Sequence, residues 1–199
     1  MRRRTWLAGL ASAGLAACSL GSAPRRDFYL LRDAAPPGAP ADAPRIDKVL
    51  MVSAMANPGL YDSDRMVFSA DGRSRSYFQF GYWSERPAQS LQTLAEARLA
   101  RSGRFRDVVA STSGVRGDLL LSLRLDELYL DAASTPQRVS LAVTSELIDW
   151  GQRRLLARQT FRQSAEVAQG GAAEFADAAS DALGRMLGEL ADWVAAQGR

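Results

Sequence analysis

The chain has 199 residues, 25 of them basic and 22 acidic, which gives a formal net charge of +3. This length is enough for one domain with a sizeable hydrophobic core. The sequence has no histidine and one cysteine, which excludes Ser-His-Asp and Cys-His catalytic arrangements and metal sites built on histidine or on several cysteines.

The first 17 residues have the composition of an export signal. Arg2, Arg3 and Arg4 precede an apolar stretch from Trp6 to Ala17, which is shorter than the roughly 20 residues that a membrane-spanning helix needs. The stretch ends in Leu15-Ala16-Ala17-Cys18. Small residues directly before the only cysteine resemble the bacterial lipobox, in which the cysteine is lipidated and becomes the first residue of the mature protein. Residues 1–17 are therefore predicted to be a lipoprotein signal peptide.

Alternatives remain for this segment. An ordinary signal peptide cut elsewhere, or a signal anchor followed by a buried cysteine, has the same general composition. The run Arg3-Arg4-Thr5-Trp6-Leu7 has some likeness to a twin-arginine export signal, and a Sec signal with three arginines fits equally well. Cleavage before Cys18 removes three arginines, so a mature chain of 182 residues keeps 22 basic and 22 acidic residues. The basic excess belongs to the signal, and we expect no nucleic-acid binding.

Residues 18–27 predict a short lipidated tether, because they are small and polar and contain Pro24. Ser19, rather than aspartate, follows Cys18. In a Gram-negative host this resembles a lipoprotein that is released to the outer membrane and faces the periplasm. The folded domain is predicted to occupy residues 28–199.

The first half of the domain predicts four strands and a helix. The run Phe28-Tyr29-Leu30-Leu31 is a compact first strand, and Arg45 to Ala56 is the second. Asp71-Gly72 joins the next two strands, since this dipeptide adopts the positive dihedrals of a tight hairpin turn. Apolar residues at helical spacing predict a helix from Pro87 to Arg101, with Ser84 as its candidate cap.

The second half predicts four more strands and a closing helix. A short strand at Phe105 to Ala110 precedes three segments of alternating apolar residues, at 119–130, 139–150 and 155–161, which predict an antiparallel meander. A final amphipathic helix runs from about Ala172 to Ala196, and its apolar stripe packs on the sheet or forms a subunit contact or an amphiphile-facing surface. The predicted fold class is α/β in the α+β sense, a mixed, largely antiparallel β-sheet packed by two long α-helices.

Two structural segments carry a family resemblance. Tyr82-Trp83-Ser84-Glu85-Arg86-Pro87 precedes the first helix, and Ser102-Gly103-Arg104-Phe105-Arg106-Asp107-Val108 follows it. With the lipobox and the Trp-bearing last helix, their order is similar to the ABC-type transport auxiliary lipoproteins, also called the PqiC-like family, over essentially the whole mature chain. The resemblance implies a non-catalytic envelope lipoprotein without cofactor or metal.

The resemblance also implies partners. They are an MCE-domain protein and the other components of an ABC transporter system, which moves phospholipid or other hydrophobic molecules between the inner and outer membranes. The membrane itself would be reached through lipid on Cys18, and a homo-oligomer is plausible for a docking element. Two rival functions stay open, namely an assembly factor for an outer-membrane protein or secretion pore, and a periplasmic carrier that binds lipid inside its own fold.

Candidate partner-binding residues are Tyr82, Trp83 and Arg86, because tyrosine, tryptophan and arginine are favoured at protein interfaces. The alternative is that both rings pack at the corner between the strand and the first helix. Arg73, Arg75 and Arg86 form either a solvated face or a contact for an acidic partner.

No catalytic residues are predicted. Asp126 and Glu127 are neighbours in a strand, and such neighbours are expected on opposite faces, so they do not predict a two-carboxylate site. The sequence has neither a Ser-x-x-Lys motif nor a phosphate-binding loop. We therefore expect no enzymatic activity.

Overall fold

The computed structural model of the protein describes residues 25–34, 44–168 and 170–199. The predicted signal peptide, Cys18 and most of the tether lie outside these ranges. Strands and helices follow the predicted order: β1 (Asp27–Tyr29), β2 (Ile46–Ala56), β3 (Arg65–Ser69), β4 (Ser76–Trp83), α1 (Pro87–Arg101), β5 (Phe105–Ala110), β6 (Leu119–Asp131), β7 (Arg138–Asp149), β8 (Arg154–Glu166) and α2 (Ala172–Gln197). The predicted class, a mixed sheet with two helices, is confirmed.

Strand β6 organises the sheet. Along one edge it pairs antiparallel with β7, which in turn pairs antiparallel with β8, and the predicted meander is confirmed. Along its other edge two strands lie end to end and parallel to it, β2 beside the first half and β3 beside the end. The sheet therefore forks beyond β6, with β5 outside β2, and β4 and β1 outside β3.

Both helices pack on one face of this sheet. α1 contacts β2 and β5, whereas α2 contacts β8, β7 and, at its start, β4. Alternation in β6 sends Leu121, Leu123 and Leu125 to this face, where they are fully buried. The opposite face, here called the open face, carries polar residues such as Thr144 and Thr160, and among the described residues no helix covers it.

The start of α1 differs in detail from the prediction. Pro87 begins the helix as expected, since its missing N–H costs nothing in the first turn. The N-cap position is Arg86 and has no side-chain cap, so the prediction of Ser84 as the cap is wrong. Ser84 lies two residues too early, where its backbone N–H donates to the carbonyl of Tyr29 at 2.8 Å and continues the pairing with β1.

Gly81 allows α2 to approach β4 closely. A Cβ atom at this position would lie 2.8 Å from the Cβ of Ala172 and 3.1 Å from the sulfur of Met66. Only glycine therefore fits here without moving the first turn of α2. Within the described ranges, no helix is long and apolar enough to span a membrane.

Candidate partner-binding surfaces

The structure places the three predicted partner-binding residues in three different surroundings. Trp83 is 2% exposed and packs edge-to-face on Phe175 of α2, with ring centroids 5.6 Å apart. This is the corner packing that the sequence analysis gave as the alternative. Tyr82, the preceding residue, lies half-buried on the open face, because successive strand residues point to opposite sides. Arg86 is exposed beyond the end of β4, where its guanidinium lies 3.5 Å from the carboxylate of Asp62.

Arg86 lines a surface groove between the end of β2 and the start of α1. Met55 is 55% exposed in this groove, which Asp62, Gln89 and Gln92 also line. The side-chain oxygen of Gln92 accepts a hydrogen bond from the backbone N–H of Ala54 at 3.1 Å, which fixes the helix against the strand. The groove thus combines an exposed apolar side chain with polar and charged walls. Protein interfaces have a similar arrangement, with an apolar centre and a polar rim.

Tyr82 belongs to a second surface, which consists of three arginine–tyrosine pairs. The guanidinium of Arg26 lies 5.6 Å from the ring centroid of Tyr82. Those of Arg65 and Arg75 lie 4.0 Å and 3.7 Å from the rings of Tyr77 and Tyr129 respectively. We call these six residues the arginine–tyrosine surface.

Strand register explains why the three pairs share the open face. Tyr82 is directly opposite both Phe28 of β1 and Arg65 of β3, and directly paired residues point to the same side of a sheet. Tyr77 is likewise opposite Val67, which is two residues from Arg65. The register of β4 against β3 shifts between these pairings. Because of this shift, simple alternation along the sequence does not predict that Tyr77 and Tyr82 lie on the same face.

The electrostatics of this surface differ from those of the rest of the sheet. Elsewhere on the sheet, arginines form ion pairs with acidic residues. The guanidinium of Arg158, for example, lies 2.6 Å from the carboxylate of Glu146. Within the described residues, no carboxylate lies within ion-pair distance of Arg26, Arg65 or Arg75. This surface therefore has three positive planar groups that stack on aromatic rings, and the carboxylate of Glu127 acts electrostatically on Tyr61 beside them.

Tyr61 lies next to this surface, and the pKa of its phenol reflects the groups around it. Burial raises the pKa of its phenol, while a hydrogen bond and the positive charge of Arg75 act in the opposite direction. The Nε atoms of Arg65 and Arg75 are buried without a hydrogen-bond partner. Stacking on tyrosine rings positions both side chains, and Arg75 also donates from Nη1 to the carbonyl of Ser74 at 3.1 Å.

A third exposed region lies at the opposite end of β6. Val115, Trp150 and Leu155 are 48%, 50% and 47% exposed. The backbone N–H of Trp150 donates to the carbonyl of Asp118 at 3.0 Å, which brings the loop before β6 against the β7–β8 turn. The exposed arginines Arg116, Arg153 and Arg154 surround these side chains, and we call the six residues the distal patch.

Asp126 and Glu127 do not lie on opposite faces, and that expectation is wrong. The register of β6 against β7 shifts between Leu125 and Glu127, which indicates a bulge. Asp126 accepts a hydrogen bond from Thr144, and Glu127 accepts one from Ser140 at 3.1 Å. These two β7 residues share one face, so both carboxylates point to the open face.

Each of these carboxylates has structural partners. Burial alone would raise the pKa of Asp126, but hydrogen bonds from Arg124, Thr144 and Asn57 outweigh it and lower the pKa. Asp126 therefore stays ionised near neutral pH and is a poor proton donor. Among the described residues, no group of three or more acidic, histidine or cysteine side chains is arranged to hold a metal ion.

Comparison with known protein families gives a match over most of the chain. The family model described as "ABC-type transport auxiliary lipoprotein component" matches residues 29–191. The chain belongs to this family. An ABC-type transport auxiliary lipoprotein is a membrane-anchored protein associated with an ABC transporter system, and its description names an auxiliary component rather than an enzyme. No curated protein matches the sequence.

Solved structures show the same fold. A Xanthomonas campestris protein of the DUF330 family is 20% identical, with a TM-score of 0.72, and the match covers 80% of this chain and 91% of that one. An uncharacterized protein is 16% identical over 86% of this chain and 99% of its own, with a TM-score of 0.67. A hypothetical protein from Chlamydia trachomatis is 9% identical over 77% and 98%, with a TM-score of 0.52.

Proposed function

We propose that this auxiliary lipoprotein is a non-catalytic component of an ABC/MCE-type system that transports lipids or other hydrophobic molecules across the periplasm. It is held at the outer membrane by lipid on Cys18, faces the periplasm, and docks the periplasmic part of the transport machine. The observation that carries this proposal is the family match over residues 29–191. The lipobox at Cys18 and Ser19 after it support the place of attachment.

We assign contact with the transport partner to the groove at Arg86. Of the three predicted residues, Trp83 is buried in the core and Tyr82 lies on the open face, so only Arg86 is exposed beside α1. Met55 provides an apolar side chain in the same groove, and the carboxylate of Asp62 orients the guanidinium. Methionine and arginine are both enriched at protein interfaces relative to the rest of the surface.

Site-specific crosslinking in the native envelope tests the partner. A photoreactive residue at Met55 is expected to capture an MCE-domain protein or another transport component, identified by mass spectrometry. The matched control is the same residue at Arg154, which is also exposed but lies in the distal patch. Capture of an outer-membrane pore protein at Met55, or of no transport component, would contradict the proposal and favour the assembly-factor function.

The lipid anchor has its own test. Labelled palmitate is expected to appear on the wild-type protein and to be absent from Cys18→Ala, which a high-salt wash should release from membranes with its domain folded. If the Cys18→Ala protein stayed membrane-bound in high salt after signal cleavage, the anchor would not be at this cysteine.

A further inference from the structure

The tether limits how far the domain can lie from the membrane. Seven residue steps separate Cys18 from Arg25, and an extended chain spans at most about 3.6 Å per residue, or about 25 Å here. Arg25 and Arg26 lead directly into β1, which pairs with β4 at the edge of the arginine–tyrosine surface. This inference rests on the lipid anchor of the proposed function, which would keep Arg25, at the edge of that surface, within about 25 Å of the bilayer.

The chemistry of the surface matches an anionic bilayer. Its three arginines have no carboxylate within ion-pair distance among the described residues. Guanidinium groups bind phosphate in a planar, bidentate manner, and stacking on tyrosine reduces the entropy lost on binding. Phe28 in β1 and Leu30 directly after it are 61% and 62% exposed. Exposed aromatic rings beside basic residues are typical of surfaces that lie at the headgroup level.

We propose that the arginine–tyrosine surface is a membrane-contact surface, which lies against the anionic phospholipid headgroups of the bilayer that holds the lipid anchor. Arg26, Arg65 and Arg75 contact headgroup phosphates, and Phe28 enters the interface beside them. The distal patch has a similar composition but begins about 30 Å away along β6, given the rise of about 3.3 Å per strand residue. At this distance it lies outside the proposed contact, and it provides a matched control on the same molecule.

Vesicle co-sedimentation with the mature chain carrying Cys18→Ser separates this contact from the lipid anchor. We expect this unlipidated protein to bind vesicles of phosphatidylethanolamine and phosphatidylglycerol, and to bind phosphatidylcholine vesicles much more weakly. Added salt should weaken the binding, since the Debye length falls to about 3 Å at 1 M. Equal binding to both kinds of vesicle, or no binding to either, would overturn the proposal.

Charge-matched variants locate the contact. The triple variant Arg26→Gln, Arg65→Gln and Arg75→Gln should reduce the vesicle partition coefficient about a hundredfold, because each basic residue near an anionic surface contributes about fivefold. Arg116→Gln, Arg153→Gln and Arg154→Gln remove the same charge from the distal patch and should leave the coefficient within about twofold. An equal loss in both triple variants would show a non-specific charge effect and refute the assignment.

Two further measurements keep the test independent of folding. Arg65→Lys with Arg75→Lys retains the charge and should keep most of the binding, with the fold verified by circular dichroism. In Phe28→Trp, the new tryptophan should be quenched by brominated lipids, whereas Trp150, which is 50% exposed in the distal patch, should not. Quenching of Trp150 alone would place the other end on the membrane, which refutes the proposal.

An acidic protein segment is the competing occupant. If the unlipidated protein bound polyglutamate through the three arginines and ignored anionic vesicles, the surface would be a protein interface and the membrane assignment would be wrong. The palmitate and crosslinking tests at Cys18 and Met55 do not depend on this result, so the proposed function and this inference fail separately.

Discussion

Replacement of Trp83 by alanine distinguishes packing at the strand–helix corner from a role in binding. The indole is 2% exposed and contacts Phe175, which also stacks on Phe78 with ring centroids 5.9 Å apart. Loss of a buried aromatic side chain to alanine costs about 3–5 kcal/mol, and the edge-to-face ring pair accounts for about 0.5–1.5 kcal/mol of it. Single domains are stable by about 5–15 kcal/mol, so Trp83→Ala should remove a large part of the stability.

Chemical denaturation of the mature chain with Cys18→Ser, followed by circular dichroism, measures this loss. Tyr82→Ala, at the next residue along β4, is the matched control. Tyr82 is half-buried on the open face, and its ring centroid lies 5.7 Å from that of Phe28. Tyr82→Ala should cost only about 1 kcal/mol. A double-mutant cycle between Trp83 and Phe175 should give a coupling energy of about 0.5–1.5 kcal/mol. Equal destabilisation by Trp83→Ala and Tyr82→Ala would refute the assignment of the two rings to opposite faces.

Three other changes test separate parts of the structure. Asp33→Ala should lower the free energy of unfolding by about 3 kcal/mol in a denaturant titration. The substitution removes the carboxylate that forms an ion pair with Arg98, and the Arg98 side chain is only 13% exposed. Gly81→Ala should cost about 1–3 kcal/mol in the same assay, since its Cβ would lie 2.8 Å from that of Ala172. Hydrogen bonds from the turn lower the pKa of Asp71 to about 2. Its carboxylate should therefore stabilise the β3–β4 turn at neutral pH, and this stabilisation should be lost as the pH falls from 3.8 to about 2. Protection of the turn amides from hydrogen exchange measures the loss.

Each of these changes has a control. Gly188→Ala in α2 meets no atom within 4 Å and should stabilise the helix by up to about 1 kcal/mol, the opposite sign to Gly81→Ala. Asp71→Asn should abolish the pH dependence of the protection factor in the turn, which is the intrinsic exchange rate divided by the observed rate; its persistence would assign the effect to another carboxylate. A loss of less than about 1 kcal/mol for Asp33→Ala would show that the ion pair behaves as a solvent-exposed one.

Local patterns predicted the elements well, because each element's residues alternate or recur within the element itself. The meander of β6, β7 and β8 is an example, since its strands are consecutive and the apolar residues of β6 and β7 alternate over most of their length. The parallel pairings of β2 and β3 with β6 were not predicted, because they join segments far apart in the sequence. Alternation in one strand does not identify its neighbour.

The surfaces were predicted less completely than the fold. Tyr82 and Arg75 were singled out, but their arginine–tyrosine partners were not, because the pairs form across strands whose register shifts within β4. The bulge near Asp126 was missed for a similar reason, since one extra residue reverses the faces of those that follow it. In both cases the decisive information is strand register, which the local sequence does not determine.

The fork in the sheet has a consequence for the order of folding. β2 and β3 each need β6 as a neighbour, and β6 follows them by about a third of the length of the chain. A chain that is exported from its N-terminus first therefore carries β2 and β3 with one edge unpaired until β6 has emerged, whereas β6, β7 and β8 then fold through local hairpins. Completion of the sheet consequently waits for the C-terminal half, so a protein truncated before β6 would reach the envelope with these two strand edges exposed and open to proteolysis.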